Sequence, residues 1–142
     1  DWLINELNTM PNIDPNHVPF DGRSALINSC LHGKPKVALR LLECPDIDYN
    51  YIDKHEITAF IAACMDGHHD VAVKLLEMPD LNYDYGDTYR AIFYVIHHKW
   101  DIIMNMMAKK SDLDISVLDD EELTWFNTVT DREIDIDIEI EI

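Results

Sequence analysis

Basic residues are scarce in this chain. Its 142 residues include 11 Lys and Arg against 28 Asp and Glu, which gives a formal net charge of −17. Nucleic acids and anionic membrane surfaces repel a protein of that charge, so we expect neither as its main ligand. No apolar run approaches the ~18 residues that a membrane-spanning helix needs. These features favour a protein or peptide partner of basic or mixed charge, with no nucleic acid and no membrane.

Cysteine is scarce as well. The chain has three cysteines, an odd number that fits a reducing compartment better than a disulfide framework. Residues 1–5 contain neither a start Met nor a basic residue. We therefore expect no signal peptide and interpret the chain as a piece of a longer protein. The predicted location is cytoplasmic, intracellular and reducing, with the nucleus as an alternative.

Only four glycines are present, which leaves little material for phosphate-binding loops. The chain has neither a G-x-x-x-x-G-K-[ST] loop nor a G-x-S-x-G turn. Residues 46–50 resemble the start of a calcium loop, but Tyr51 stands where that loop needs Gly and Ile57 where it needs Glu. His68 and His69 do not have the spacing of a zinc site. We predict no enzymatic activity, no catalytic residue, no metal and no cofactor.

Internal repetition is what the sequence does contain. Residues 24–33 (SALINSCLHG) recur as residues 58–67 (TAFIAACMDG), 34 positions later. Residues 45–50 (PDIDYN) recur at the same offset as residues 79–84 (PDLNYD). The offset then shortens to 32, and the pattern decays beyond it. A match sustained at one offset across a whole unit is the signature of a repeat protein.

Each unit reads as two short helices. In the second unit, the Thr58 hydroxyl is suited to cap the first helix, and Gly67 is suited to end it in a left-handed conformation. Val71 and Leu75 form an apolar stripe on the second helix, which Pro79 prevents from continuing. A helix pair of this size buries its apolar face only by stacking on a neighbouring copy.

These units resemble ankyrin repeats. The family pattern G-x-T-P-L-H-x-A-A-x-x-G-H followed by V-x-x-L-L appears here as residues 56–68 (EITAFIAACMDGH), then Val71 and residues 75–76. The resemblance implies an all-α solenoid of stacked helix-turn-helix units with short hairpin fingers. Its ankyrin-like part covers residues 1–117, with a half repeat at 1–18 and repeats at 19–52, 53–86 and 87–117. Residues 118–142 would form a degenerate acidic repeat or cap.

The resemblance also implies a binding face. In ankyrin repeats, partner contacts usually come from the fingers and from the two positions before the helix-ending Gly. The expected function is a non-enzymatic protein–protein interaction module that is monomeric on its own. The alternatives are a regulatory or targeting segment of a larger enzyme, or a pathogen or viral effector that engages a host protein. Carried onto this sequence, the partner-binding positions are Phe20, Asp21, Arg23, Leu31, His32, Lys54, His55, Ile57, Met65, Asp66, Asp87, Tyr89, His97 and His98.

Two further groups of residues recur at the repeat offset, namely two cysteines and the tyrosines between the units. Cys30 and Cys64 occupy equivalent positions, and helix stacking at ~10 Å would keep them too far apart for a disulfide, so we expect small core residues. The tyrosines between the units either present an aromatic edge to a partner or pack one finger on the next, and we favour the packing.

The C-terminal region differs in charge and pattern. Residues 112–142 hold 12 acidic residues and one basic residue, a net charge of −11. From Ile134 onward, isoleucine alternates with acidic residues, which favours a strand slightly over a final helix. As a helix the segment would cover the end of the stack, and as a strand it would present an edge protected from aggregation by its charge. Docking on a basic partner is the alternative, and capping is the role we favour.

Overall fold

The computed structural model describes residues 14–83, 90–110 and 113–141, with side chains as far as residue 130. Within these ranges the chain is all-α, with seven helices and no strand. The helices are α1 (Ala25–Leu31), α2 (Pro35–Leu42), α3 (Ala59–Met65), α4 (His69–Leu76), α5 (Ala91–His98), α6 (Asp101–Ala108) and α7 (Asp120–Glu141).

The helix boundaries repeat with the sequence. Helices α3 and α4 begin and end one full repeat offset after α1 and α2, while α5 and α6 begin at the shorter offset after α3 and α4. The first helices start alike, because the Ser24 hydroxyl accepts a bond from the Ile27 amide and Thr58 does the same for Ile61, each at 3.2 Å. The predicted N-cap at Thr58 is confirmed.

A common turn joins the two helices of each pair. The positions that end the first helices are Gly33, Gly67 and Lys99, and their φ angles are 68°, 75° and 55°. The amide that follows each of them bonds back to a carbonyl five residues earlier, at 2.9, 2.9 and 3.1 Å. This left-handed termination suits glycine best, and the prediction for Gly67 is confirmed.

The chain divides into two compact units, of which the first is Asp1–Ala91. In it, α1 packs on α2 and α3 on α4, while α1 also contacts α3 and α2 contacts α4. Equivalent helices of the two repeats thus lie side by side. Phe60 and Leu75 are completely buried, as are Cys30 and Cys64, which confirms the prediction that these cysteines belong to the core.

Two asparagines bind the turns of consecutive repeats together. The Asn16 side chain donates from Nδ2 to the Asp46 carbonyl and accepts at Oδ1 from the Asp48 amide, both at 2.6 Å. Asn50, the equivalent residue of the next repeat, makes the same pair of bonds to the Asp80 carbonyl and the Asn82 amide, both at 2.8 Å. Each asparagine therefore satisfies one backbone donor and one backbone acceptor of the next turn.

The tyrosines of these turns also contact neighbouring segments. The Tyr51 hydroxyl donates to the Gly22 carbonyl at 3.0 Å, and the Tyr49 hydroxyl lies 3.5 Å from the Pro79 carbonyl. Tyr83 is buried. The prediction of local packing is confirmed for Tyr49 and Tyr51, whose hydroxyls contact the neighbouring segments.

The second unit is Ile92–Ile142, in which α6 packs on α7. Ile103, Met104 and Met107 are completely buried, and Val129 of α7 is nearly so. Asp119 caps α7 through a reciprocal pair of bonds: its Oδ1 accepts from the Glu122 amide at 2.8 Å, and its own amide donates to Glu122 Oε2 at 2.9 Å.

The slight preference for a strand from Ile134 onward is wrong, because α7 continues without interruption to Glu141. Once the first turn is capped, each further helical residue adds a backbone hydrogen bond, whereas an isolated strand would need a partner strand. The 22 residues of α7 form one continuous helix, so this region does not contain the two short helices of a degenerate repeat.

Candidate partner-binding face

Two tight turns, residues 19–23 and 53–57, stand at the positions expected for fingers, and we call them the fingertips. In the first, the Gly22 amide bonds to the Pro19 carbonyl at 2.9 Å; in the second, the Glu56 amide bonds to the Asp53 carbonyl at 3.1 Å. Gly22 and Glu56 occupy equivalent positions and both have positive φ angles, 78° and 63°. The two fingertips therefore share one backbone geometry.

Asp53 holds the second fingertip together. Its side chain is fully buried, and Oδ1 accepts from the amides of His55 at 2.8 Å and Ile57 at 2.9 Å. Its Oδ2 lies 3.2 Å from Nε of Arg23 in the first fingertip, whose side chain is 30% exposed. A single carboxylate thus organises one turn and ties it to the other. Sequence reasoning missed this role, because Arg23 and Asp53 are 30 residues apart and do not occupy equivalent positions of the two repeats.

The tips themselves project into solvent. Phe20 is fully exposed, and Asp21, Lys54, His55 and Glu56 are exposed as well. Asp21 contributes to the turn, since its Oδ1 accepts from the Arg23 amide at 3.1 Å. An exposed Phe on a turn fixed by hydrogen bonds is a ready anchor for a partner, because burying it gains apolar contact at a low cost in conformational entropy.

The positions before the helix-ending residues are the second part of the predicted face. Leu31 and Met65 are half-buried, whereas His32 and Asp66 are exposed. The Asp66 carboxylate lies 2.7 Å from Nε2 of His68, a contact within the turn and not part of a metal site. Among the described residues, no group of three His, Cys, Asp or Glu side chains is arranged to hold a metal ion.

The corresponding positions of the second unit are His97 and His98. His97 is exposed, while His98 is half-buried with its ring stacked on Trp100, the ring centres being 4.5 Å apart. His97 also lines a cleft of about 470 Å³, together with Phe93, Lys99 and acidic residues that include Asp119 and Glu122. The unit therefore offers aromatic, basic and acidic groups near one of its predicted partner-binding positions.

One predicted position does not face solvent, and two lie outside the described residues. Ile57 is only 5% exposed, so its side chain belongs to the core. The surface of the second fingertip comes from Lys54 and His55. Asp87 and Tyr89 fall outside the residues that the structure describes.

Cys30 and Cys64 do not have the features of a nucleophile. All three cysteines are in the thiol form. Burial raises the pKa of the Cys30 thiol from 9.0 to about 12, and burial also raises the pKa of Cys64. Neutral thiols shielded from solvent react poorly, because the thiolate is the reactive form.

Comparisons with known proteins gave no relative. No family model matches the chain, and neither a curated protein nor a solved structure shows significant similarity to it. In the part of the chain that the structure describes, no helix has both the length and the apolar character to cross a membrane.

Proposed function

We propose that this chain is an ankyrin-like solenoid that binds a partner protein or peptide through its fingertips and helix-end positions. The observation that carries the proposal is the coincidence of two periodicities. Helix boundaries recur at the repeat offset of the sequence, and in the first unit the equivalent helices pack side by side. Repetition of this kind aligns equivalent surface positions in rows.

Within each repeat, the residues that hold the turn differ from the residues that are exposed at its tip, and this supports a binding role. Buried residues, backbone bonds and the Asp21 carboxylate define the turns, while the exposed tips differ between repeats: Phe20 in one, Lys54 and His55 in the other. Residues that do not hold the fold are available to match a partner. Aromatic and Met side chains, here Phe20 and Met65, are enriched in the cores of protein interfaces.

The charge favours a partner of basic or mixed character. The formal net charge of −17 attracts basic segments and increases their association rate, an effect that weakens as salt is added. At the fingertips, Lys54 and Arg23 alternate with Asp21 and Glu56, which suits a partner that presents charges of both signs.

We further propose that the chain is not an enzyme and acts as a monomer in a reducing compartment. The raised pKa values of Cys30 and Cys64 argue against a nucleophilic role for these thiols. Three cysteines in the thiol form fit a reducing environment.

The test is affinity capture with paired variants, each protein identified by mass spectrometry. The face variant Phe20→Ala/Lys54→Ala/His55→Ala removes three exposed side chains from the fingertips. The control variant Lys36→Ala/Lys74→Ala removes two exposed lysines from α2 and α4. We expect partners that are retained by wild type and control and lost from the face variant.

Two results would contradict the proposal. Identical captures with all three proteins would mean that the fingertips do not carry binding. Equal loss from both variants would mean that charge alone, wherever it lies, governs the association. Circular dichroism of each variant verifies that the helical content is unchanged.

A further inference from the structure

Among the serines and threonines that the structure describes, Ser116 is the one that is both exposed and outside a helix. Ser24 and Thr58 are buried, and their hydroxyls cap α1 and α3. Ser29 is buried within α1. Three threonines lie on α7, where each hydroxyl donates to a carbonyl of the preceding turn. Of these seven residues, Ser116 alone combines an accessible oxygen with a backbone that no helix holds. The three threonines are Thr124, Thr128 and Thr130.

Ser116 lies in residues 113–119, a non-helical segment that joins α6 to α7. Its hydroxyl donates to Asp114 Oδ1 at 2.6 Å, and its amide donates to the same oxygen at 3.0 Å. Both bonds are local and exposed, so water replaces them readily when the segment changes conformation. An enzyme that modifies a side chain must seat several residues on both sides of it. Exposed irregular segments permit this, whereas a threonine within α7 would require the helix to unwind.

The charges around Ser116 are all of one sign. Residues 112–122 contain six acidic residues and no basic residue. Asp119, Asp120 and Glu121 follow Ser116 by three to five positions, and all three are exposed. Asp119 is the last residue before α7, so the hydroxyl and the nearest of these carboxylates lie on one non-helical stretch. A substrate groove lined with basic side chains matches a segment of this charge.

The same residues exclude the other common ways in which a kinase selects a serine. A kinase that selects basic residues upstream of the serine finds Leu113 and Asp114 at the third and second positions before Ser116. A proline-directed kinase needs Pro directly after the serine, where this chain has Val117. Charge patterns of this kind decide which kinase accepts which substrate. The segment therefore suits a kinase that selects acidic residues.

We propose that Ser116 is a phosphorylation site for an acid-directed serine kinase. The acidic residues that follow Ser116 bind the basic groove of the kinase, and the exposed hydroxyl enters its catalytic cleft. The site lies in the second unit and outside the predicted partner-binding positions. It therefore stands or fails independently of the proposed function.

The reaction is a transfer of the γ-phosphoryl group of ATP. The Ser116 oxygen forms a bond to the γ-phosphorus, the bond from that phosphorus to the bridging oxygen breaks, and ADP leaves. The hydroxyl proton passes to the catalytic carboxylate of the kinase. The product has lost the hydroxyl donor to Asp114 and carries about two negative charges beside that carboxylate, which repel it and open the turn.

The test is phosphorylation of the whole chain by three purified kinases, each supplied with Mg²⁺ and ATP. One kinase selects acidic residues, one selects basic residues and one is proline-directed. Tandem mass spectrometry identifies the modified residue. We expect the acid-directed kinase to modify Ser116 and the other two to leave it unmodified.

Asp119→Asn tests the recognition by charge. Asparagine caps a helix as well as aspartate does, so α7 should still form, and circular dichroism verifies this. The variant should lower kcat/KM for Ser116 by about 10-fold, the ratio that one hydrogen bond to a charged group provides. As a control, Asp70→Asn removes an exposed carboxylate from α4 and should leave this rate unchanged.

Ser116→Ala should abolish the modification, while Thr124→Ala, which removes an exposed hydroxyl from α7, should not alter it. Absence of phosphate at Ser116 after treatment with the acid-directed kinase would overturn the proposal. Phosphate confined to another residue would overturn it as well. Equal modification of Ser116 by all three kinases, or an unchanged rate in Asp119→Asn, would overturn the assignment to an acid-directed enzyme.

Discussion

Removing the carboxylate of Asp53 is the sharpest test of how the fingertips are built. Its side chain is fully buried, accepts two backbone bonds within its own turn and pairs with Arg23 of the preceding repeat. Asp53→Ala abolishes all three interactions and creates no steric conflict. The variant should lose stability and loosen the connection between the two repeats.

The expected loss of stability in Asp53→Ala depends on whether water can replace the carboxylate at each of its three partners. The His55 amide belongs to an exposed residue and can bond to water instead, whereas the Ile57 amide belongs to a buried residue and cannot. Arg23 is 30% exposed, so water recovers part of its solvation. Breaking a buried ion pair by removing one partner costs about 3–5 kcal/mol, and the exposure of Arg23 points to the lower end, about 3 kcal/mol.

A double-mutant cycle separates the ion pair from the backbone bonds. Arg23→Ala should cost about 1–2 kcal/mol, because the carboxylate keeps its two amide donors. The double variant should be little worse than Asp53→Ala alone, which corresponds to a coupling energy of about 1–2 kcal/mol. Urea unfolding of the whole chain, followed by circular dichroism, measures these differences.

Hydrogen exchange gives an independent readout. The Ile57 amide should exchange faster in Asp53→Ala, since its acceptor is gone. The control is Asp46→Ala, because Asp46 is exposed and its backbone carbonyl, rather than its side chain, accepts the bond from Asn16. A loss below about 1 kcal/mol in Asp53→Ala, with unchanged exchange at Ile57, would refute the reasoning.

Three other perturbations have defined outcomes. Asn50→Ala removes two bonds to the next turn and should cost about 1–2 kcal/mol in urea unfolding; no loss would mean that water replaces both bonds. Glu56→Gly should raise stability by up to ~1 kcal/mol, because Gly22 already occupies the equivalent left-handed position, while Glu56→Ala should give no gain. The free energy of unfolding should fall as pH rises from about 9 toward 12, by about 1.4 kcal/mol per pH unit and thiol. The raised pKa values of Cys30 and Cys64 keep both thiols protonated in the folded chain while they ionise in the unfolded one, so Cys30→Ala/Cys64→Ala should flatten that slope.

Much of the local structure was predictable because it depends on single residues and their neighbours in sequence. The Thr58 hydroxyl caps α3, and Gly67 ends it with a φ of 75°. The burial of Cys30 and Cys64 followed from their equivalent positions in the repeat. Each of these features is decided within one or two helical turns, where sequence patterns carry the information.

The contacts between repeats were not predictable in the same way. Asn16 and Asn50 are one repeat offset apart, and each satisfies a backbone donor and a backbone acceptor of the turn in the next repeat, a role that the sequence alone does not show. Asp53 has the same character, since its buried carboxylate depends on Arg23 of the preceding repeat. A polar residue in a turn reads as solvent-exposed until the neighbouring turn is placed against it.

The alternation after Ile134 favoured a strand wrongly, because its meaning also depends on a neighbouring segment. Strict alternation indicates a strand only when a neighbouring strand supplies hydrogen bonds, and a sequence pattern does not show whether one is there. The decisive signal lay upstream, in the reciprocal bonds of Asp119 and Glu122 that start α7. The capping motif was visible in the sequence, but it stands several helical turns before the alternation that it overrides.

The two fingertips show how one geometry can present different chemistry. Gly22 and Glu56 adopt similar left-handed conformations, and the Arg23–Asp53 pair joins the turns, so the backbone is fixed without help from the side chains of Phe20 and Lys54. Phe20 and Lys54 occupy equivalent positions, and no backbone bond of either turn depends on their side chains. Replacing Phe20 should therefore change partner affinity and leave stability nearly unchanged, whereas replacing Asp53 should lower both. A substitution at Phe20 that destabilised the fold would show that the tip supports the turn, and the separation of scaffold from binding surface would then fail.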